Sequence, residues 1–122
     1  MQEHLQELLE TNVEIKAAAI IDVDADLKAA VNFTEYEDPA FLKDIAQLAK
    51  LSVNCAGQVD EHFPPRASQL NLPFILLGSS TQTLIVEIPC MNAFVVAVLD
   101  PIGQPGLARL DIYRMVIGLC EG

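Results

Sequence analysis

The chain has 122 residues and a mass of 13.3 kDa, enough for one domain, residues 1–122, with its own hydrophobic core and no obligatory staples. Hydrophobic residues make up 52% of it and the mean hydropathy is +0.34, so some of its surface is expected to be an interface. A formal charge of −10 with a pI near 4.3 excludes nucleic acid and anionic membrane as natural partners, because both demand clustered Lys and Arg.

Met1 leads straight into an acidic amphipathic stretch, without the basic-then-apolar order of an export signal. Leu5, Leu8 and Leu9, set among Glu3, Glu7 and Glu10, predict a short helix that stops near Thr11-Asn12. Glu14 to Asp22 reads as a strand buried on both faces, with Ile15, Ala17, Ala19 and Ile21 on one side and Ala18 and Ile20 on the other. Leu27, Ala29, Val31 and Phe33 alternate with Lys28, Ala30, Asn32 and Thr34, the pattern of a half-exposed strand.

Asp38-Pro39 then opens a long helix, with an aspartate available as cap and a proline at the first helical position. Pro64-Pro65 closes it after Phe63. At 100° per residue, Phe41, Ile45, Leu48, Ser52, Cys55, Val59 and Phe63 form the stripe expected against a sheet. Leu42, Ala46, Ala49, Val53 and Gly57 form a second stripe of mostly small side chains, suited to close approach of another helix axis. Lys43, Gln47, Lys50, Asn54, Gln58 and Glu61 complete a solvated face. Apolar residues thus cover more of the circumference than one sheet requires, and a second copy of the helix is the simplest cover.

Three strands are expected next, Leu72 to Gly78, Thr83 to Ile88 and Ala93 to Leu99, with links short enough for an antiparallel meander. Pro73 cannot donate to a ladder, which places its strand at a sheet edge, and apolar Phe74-Ile75-Leu76-Leu77 at an edge calls for a partner strand. A last helix begins near Pro105, with Leu107, Leu110, Tyr113, Ile117 and Cys120 on one side. The fold class is α+β in the order helix, two strands, helix, three strands, helix: a five-stranded antiparallel sheet with helices packed on it. No run approaches the length of a bilayer span.

Asp22-Val23-Asp24-Ala25-Asp26 is the most concentrated group of candidate ligands. As a calcium loop it lacks glycine at the sixth position and glutamate at the twelfth, where Leu27 and Phe33 stand. As a D-x-D phosphohydrolase motif it lacks the further lysine and acidic motifs of a long α/β chain. A tight turn whose aspartates bond local backbone is the expected reading. His4 and His62 lie in separate helices without a second ligand at metal spacing, and Gly78-Ser79-Ser80-Thr81 lacks the lysine of a phosphate loop. No set of acid, base and nucleophile assembles, so no catalytic residue, metal or cofactor is assigned and the protein is read as a non-enzyme. Cys55, Cys90 and Cys120 are odd in number, lie in apolar runs and lack C-x-x-C spacing, and reduced thiols in a cytoplasmic protein are expected.

Three segments resemble those of the roadblock (dynein light chain) domain family: Ala18-Ala19-Ile20-Ile21-Asp22-Val23-Asp24, the long helix from Pro39, and Phe94-Val95-Val96-Ala97-Val98-Leu99-Asp100 followed by Gly106-Leu107-Ala108-Arg109-Leu110. Ala25-Asp26 stands where such domains commonly place a glycine. The resemblance implies a profilin-like layout and a free-standing, noncatalytic, GTPase-activating or scaffold module for a Ras-like small GTPase. It also implies a homodimer made by laying second helices side by side and pairing third strands, here Leu42, Ala46, Ala49, Val53 and Gly57 with Leu72, Phe74, Ile75, Leu76 and Leu77. Lys43, Gln47, Lys50 and Asn54, left on the polar side of that helix, are the expected partner-binding face. The alternative is a small-molecule sensory domain with a pocket against the sheet, in room left by Ala17 to Ala19 and Ala29-Ala30.

Overall fold

The structure is a computed structural model and describes residues 1–32, 39–62, 74–78, 81–100 and 104–121. Its elements in chain order are α1 (Gln2–Thr11), β1 (Ile15–Asp22), β2 (Leu27–Val31), α2 (Pro39–His62), β3 (Phe74–Gly78), β4 (Gln82–Ile88), β5 (Ala93–Leu99) and α3 (Pro105–Glu121). This is the expected order. The Asp38 cap, Thr34, Phe33, Phe63, Pro64-Pro65, Leu72 and Pro73 lie outside the described residues.

All strand pairs are antiparallel, in the sheet order β2-β1-β5-β4-β3. β5 is central and carries no charged side chain, as a strand covered on both faces must. One face holds Ile20, Leu84, Val86, Val95 and Leu99 beneath Leu5 and Leu8 of α1 and Ala108, Ile112 and Val116 of α3. The other holds Ala17, Ala19, Ile21, Ile85, Phe94 and Val96 beneath Leu42, Ile45 and Ala49 of α2. The domain therefore has three layers. Completely buried side chains such as Leu5, Ile20 and Ile112 each contribute about 1.5–3 kcal/mol of transfer free energy.

Two bulges revise the expected faces. Ile15 pairs with Leu99 while Ala17 pairs with Val98, so Lys16 is an extra residue in β1. Ile15 consequently joins Ala18 and Ile20 on the α1/α3 side, whereas Ala17, Ala19 and Ile21 face α2. Ile20 pairs with Ala29 and Ile21 with Leu27, so Lys28 is an extra residue in β2, and Leu27 turns to the α2 side while Ala29 and Val31 keep to the other. A strict two-residue alternation fails at both places for the same reason.

α3 turns a different face to the sheet from the one expected. Ala108, Ile112, Met115 and Val116 are buried, and Leu107, Leu110 and Ile117 are exposed. Small Ala108 allows the helix axis close to the sheet, and the longer leucines point away. The Glu14 carboxylate accepts from the Gln104 backbone N–H at 2.8 Å, setting a negative charge at the start of α3 where free N–H groups and the helix dipole favour it.

Candidate functional site

The aspartate cluster is a turn. The Asp22 carboxylate Oδ1 accepts from the backbone N–H of Asp24 at 2.9 Å and of Asp26 at 3.0 Å, and its other oxygen lies 3.3 Å from Lys28 Nζ. The Asp26 N–H holds the Asp22 carboxyl below its ordinary range, helped by the Asp24 N–H and Lys28 and opposed by partial burial. The loop closes with Ala25 at φ 68°, in the left-handed region that favours glycine. The carboxylate that would lead a cation loop is spent on its own backbone. Among the described residues, no group of three His, Cys, Asp or Glu side chains converges as a metal site would require.

On α2, Lys43, Gln47, Lys50 and Asn54 are all exposed along one side. The stripe assigned to a second helix is divided. Leu42 and Ala49 pack against the sheet of their own chain, Ala49 is 0% exposed, and Ala46 is buried as well. These three are buried within their own chain, Leu42 keeping only 7% exposure, against the expectation that the domain leaves them uncovered. Val53 is half-buried at the margin of the same cluster and Gly57 is exposed. The apolar residues α2 does present to solvent are Leu51 at 58% and Val59 at 55%, with exposed Cys55 between them at the same helical spacing. β3 is an edge strand, with Leu76 exposed and Leu77 partly packed under α2. Side chains of Phe74 and Ile75, and all of Leu72, lie outside the described residues.

The alanines that could have left room against the sheet are in closed packing. Ala18 and Ala19 are fully buried and Ala17 nearly so. The space that exists lies elsewhere. An open hollow of about 550 Å³ separates the Asp24–Leu27 turn from Leu42 and Lys43. A groove of about 340 Å³ runs between α1 and α3, walled by His4, Glu7 and Thr11 on one side and Asp111, Arg114 and Gly118 on the other.

The cysteines also depart from expectation. Cys90, in the turn between β4 and β5, is bonded to Cys120 near the end of α3, with Cα atoms 5.7 Å apart, and Cys55 is the free thiol. Their separation of 30 residues carried no local signature, since the pairing depends on α3 folding back over the sheet. No helix of the described residues is long and apolar enough to cross a membrane.

No family model matches the sequence, and no curated protein matches it. Solved structures do match. MglB of Myxococcus xanthus superposes with a TM-score of 0.73 at 15% identity, over 98% of this chain and 91% of that one. A Roadblock/LC7 domain from Streptomyces avermitilis gives 0.67 at 10% identity, over 98% and 93%. Profilin IA of Acanthamoeba castellanii gives 0.62 at 19% identity, over 98% and 96%. At such identities the likeness speaks for the fold, and the fold is that of a roadblock domain in the profilin-like layout.

Proposed function

We propose that the chain is a noncatalytic regulatory or scaffold module for a Ras-like small GTPase, working as a homodimer. The observation that supports this reading is the likeness to roadblock-domain structures over nearly the whole of this chain. A regulator of this kind donates no catalytic group. It changes hydrolysis or exchange by contacting the switch loops more favourably in one nucleotide state than in the other.

The homodimer surface we propose is the apolar flank of α2 that carries Leu51, Cys55 and Val59, together with β3: Leu72, Phe74, Ile75, Leu76 and Leu77; Val53 and Gly57 lie on the other side of the lysine-bearing face. Burying exposed leucine and valine stabilises the contact, and pairing the β3 edge satisfies its open backbone groups. The GTPase would meet Lys43, Gln47, Lys50 and Asn54, where two lysines about 10 Å apart along the helix stand on an otherwise acidic chain.

The test is a pull-down and hydrolysis assay with a GTPase encoded in the same gene neighbourhood, loaded in turn with GDP and a non-hydrolysable GTP analogue. The expected result is binding that prefers one state and weakens when Lys43 and Lys50 are both changed to Glu. Equal absence of binding in both states would overturn the reading.

A further inference from the structure

The α1/α3 face of the domain combines three features that the GTPase reading does not use. Leu107, Leu110 and Ile117 form an exposed apolar ridge along α3, at 54%, 45% and 38% exposure. Beside it runs the groove between the helices, and across the groove α1 presents Glu3, Glu7 and Glu10, all exposed, with no lysine or arginine in the helix. Arg114 in the ridge lies 3.6 Å from the Asp111 carboxylate, which offsets its charge.

We infer that this face docks an amphipathic helix bearing Lys or Arg on one side. Its apolar positions would rest on Leu107, Leu110 and Ile117 and its basic positions would reach across the groove to Glu3, Glu7 and Glu10. The ridge is about 15 Å long from Leu107 to Ile117, which matches about three turns of helix. Charge selects the occupant. A second copy of this chain would set one glutamate row against another, and an anionic membrane would be repelled, whereas a basic helix gains from each carboxylate it approaches.

Gly118 adds a feature of shape. A Cβ built there meets nothing within 4 Å, so its missing side chain leaves the groove wall open beside the ridge without any need inside the domain. A glycine inside a helix costs about 1 kcal/mol relative to alanine, and close approach by another backbone is a physical reason to bear it.

The experiment is selection of a phage-displayed library of peptides about four turns long on the intact chain, followed by amide chemical-shift mapping of the enriched sequences. Expected are peptides of net positive charge with apolar residues at helical spacing, shifts confined to α1 and α3, and weaker binding as salt rises. Leu110→Glu should lower their affinity at least about tenfold with folding intact, since Leu110 is exposed. Gly118→Gln should weaken binding as well while raising the unfolding midpoint. Enrichment of acidic or extended peptides, shifts on α2, no enrichment at all, or retained affinity in both variants would each overturn the inference. No GTPase enters this test, so its outcome is separate from that of the proposed function.

Discussion

Asn12 Nδ2 donates to Asp111 Oδ2 at 2.9 Å across 99 residues of chain, tying the end of α1 to the first half of α3. The same side chain accepts from the Glu14 backbone N–H at 3.0 Å, and Asn12 is the buried polar residue among those described. One amide thus fixes both the exit of α1 into β1 and the spacing of the two helices that frame the groove. Asn12→Ala removes both bonds and leaves the Glu14 N–H to find another partner. The expected loss is about 2–3 kcal/mol, seen as a lower urea midpoint at unchanged slope.

Ala25 offers the opposite case. At φ 68° it occupies backbone space that costs an L residue about 1–2 kcal/mol, and a glycine there would carry no such penalty. Ala25→Gly should raise stability by about 1 kcal/mol, after allowing for the larger entropy of glycine in the unfolded chain. The midpoint of urea unfolding at neutral pH measures it.

Asp22 makes the turn sensitive to acid. Its carboxyl titrates lower in the folded than in the unfolded protein, so the folded state holds fewer protons as pH falls toward the carboxylate range. The stabilisation is complete above the unfolded value of about 4 and is lost as pH falls through the lower folded value. Asp22→Asn keeps an oxygen for the Asp24 and Asp26 N–H groups but removes the charge facing Lys28. Urea midpoints between neutral and strongly acid pH should therefore fall less steeply in the variant than in the parent chain.

The disulfide closes a loop of 30 residues that contains β5 and nearly all of α3. Loop-closure entropy for that length predicts a loss of about 3–4 kcal/mol on reduction or in Cys120→Ser. Matched denaturation curves with and without reductant test this, and the variant should no longer respond to reductant.

Two glutamate substitutions on α2 should behave differently. Ala49→Glu places a charge in the core between helix and sheet, and the expected outcome is unfolding rather than clean dissociation. Val59→Glu alters an exposed site, so the fold should survive while the dimer is lost. Circular dichroism with light scattering at micromolar concentration separates the two results. A parent chain that is monomeric there removes the dimer from the proposed function.

The element order and the sheet meander were readable because apolar periodicity changes sharply at each turn. The faces were less readable. Lys16 and Lys28 are bulge residues, and nothing in a single lysine between apolar neighbours announces the extra backbone step that moves Ile15 and Leu27 across the sheet. On α2 the expected stripe holds, with Ile45 buried against the sheet and Phe41 and Leu48 at its margin, whereas on α3 the large Leu107, Leu110 and Ile117 face outward. Small Ala49 and Ala108 are fully buried between each helix and its own sheet. The exposed residues Leu51, Leu107 and Leu110 follow from the same geometry, and only the assembled layers reveal them.

The Gln2 side-chain amide both donates to the Ala30 carbonyl and accepts from the Ala30 N–H at 3.1 Å, imitating a neighbouring strand along β2. One border of the sheet is thereby occupied at Ala30 by the chain's own second residue, and β3 forms the opposite border. A ribbon stitched at one hem can be lengthened only from the other. In the proposed pair joined through β3, a Gln2 would stand at each outer border and oppose strand addition at Ala30.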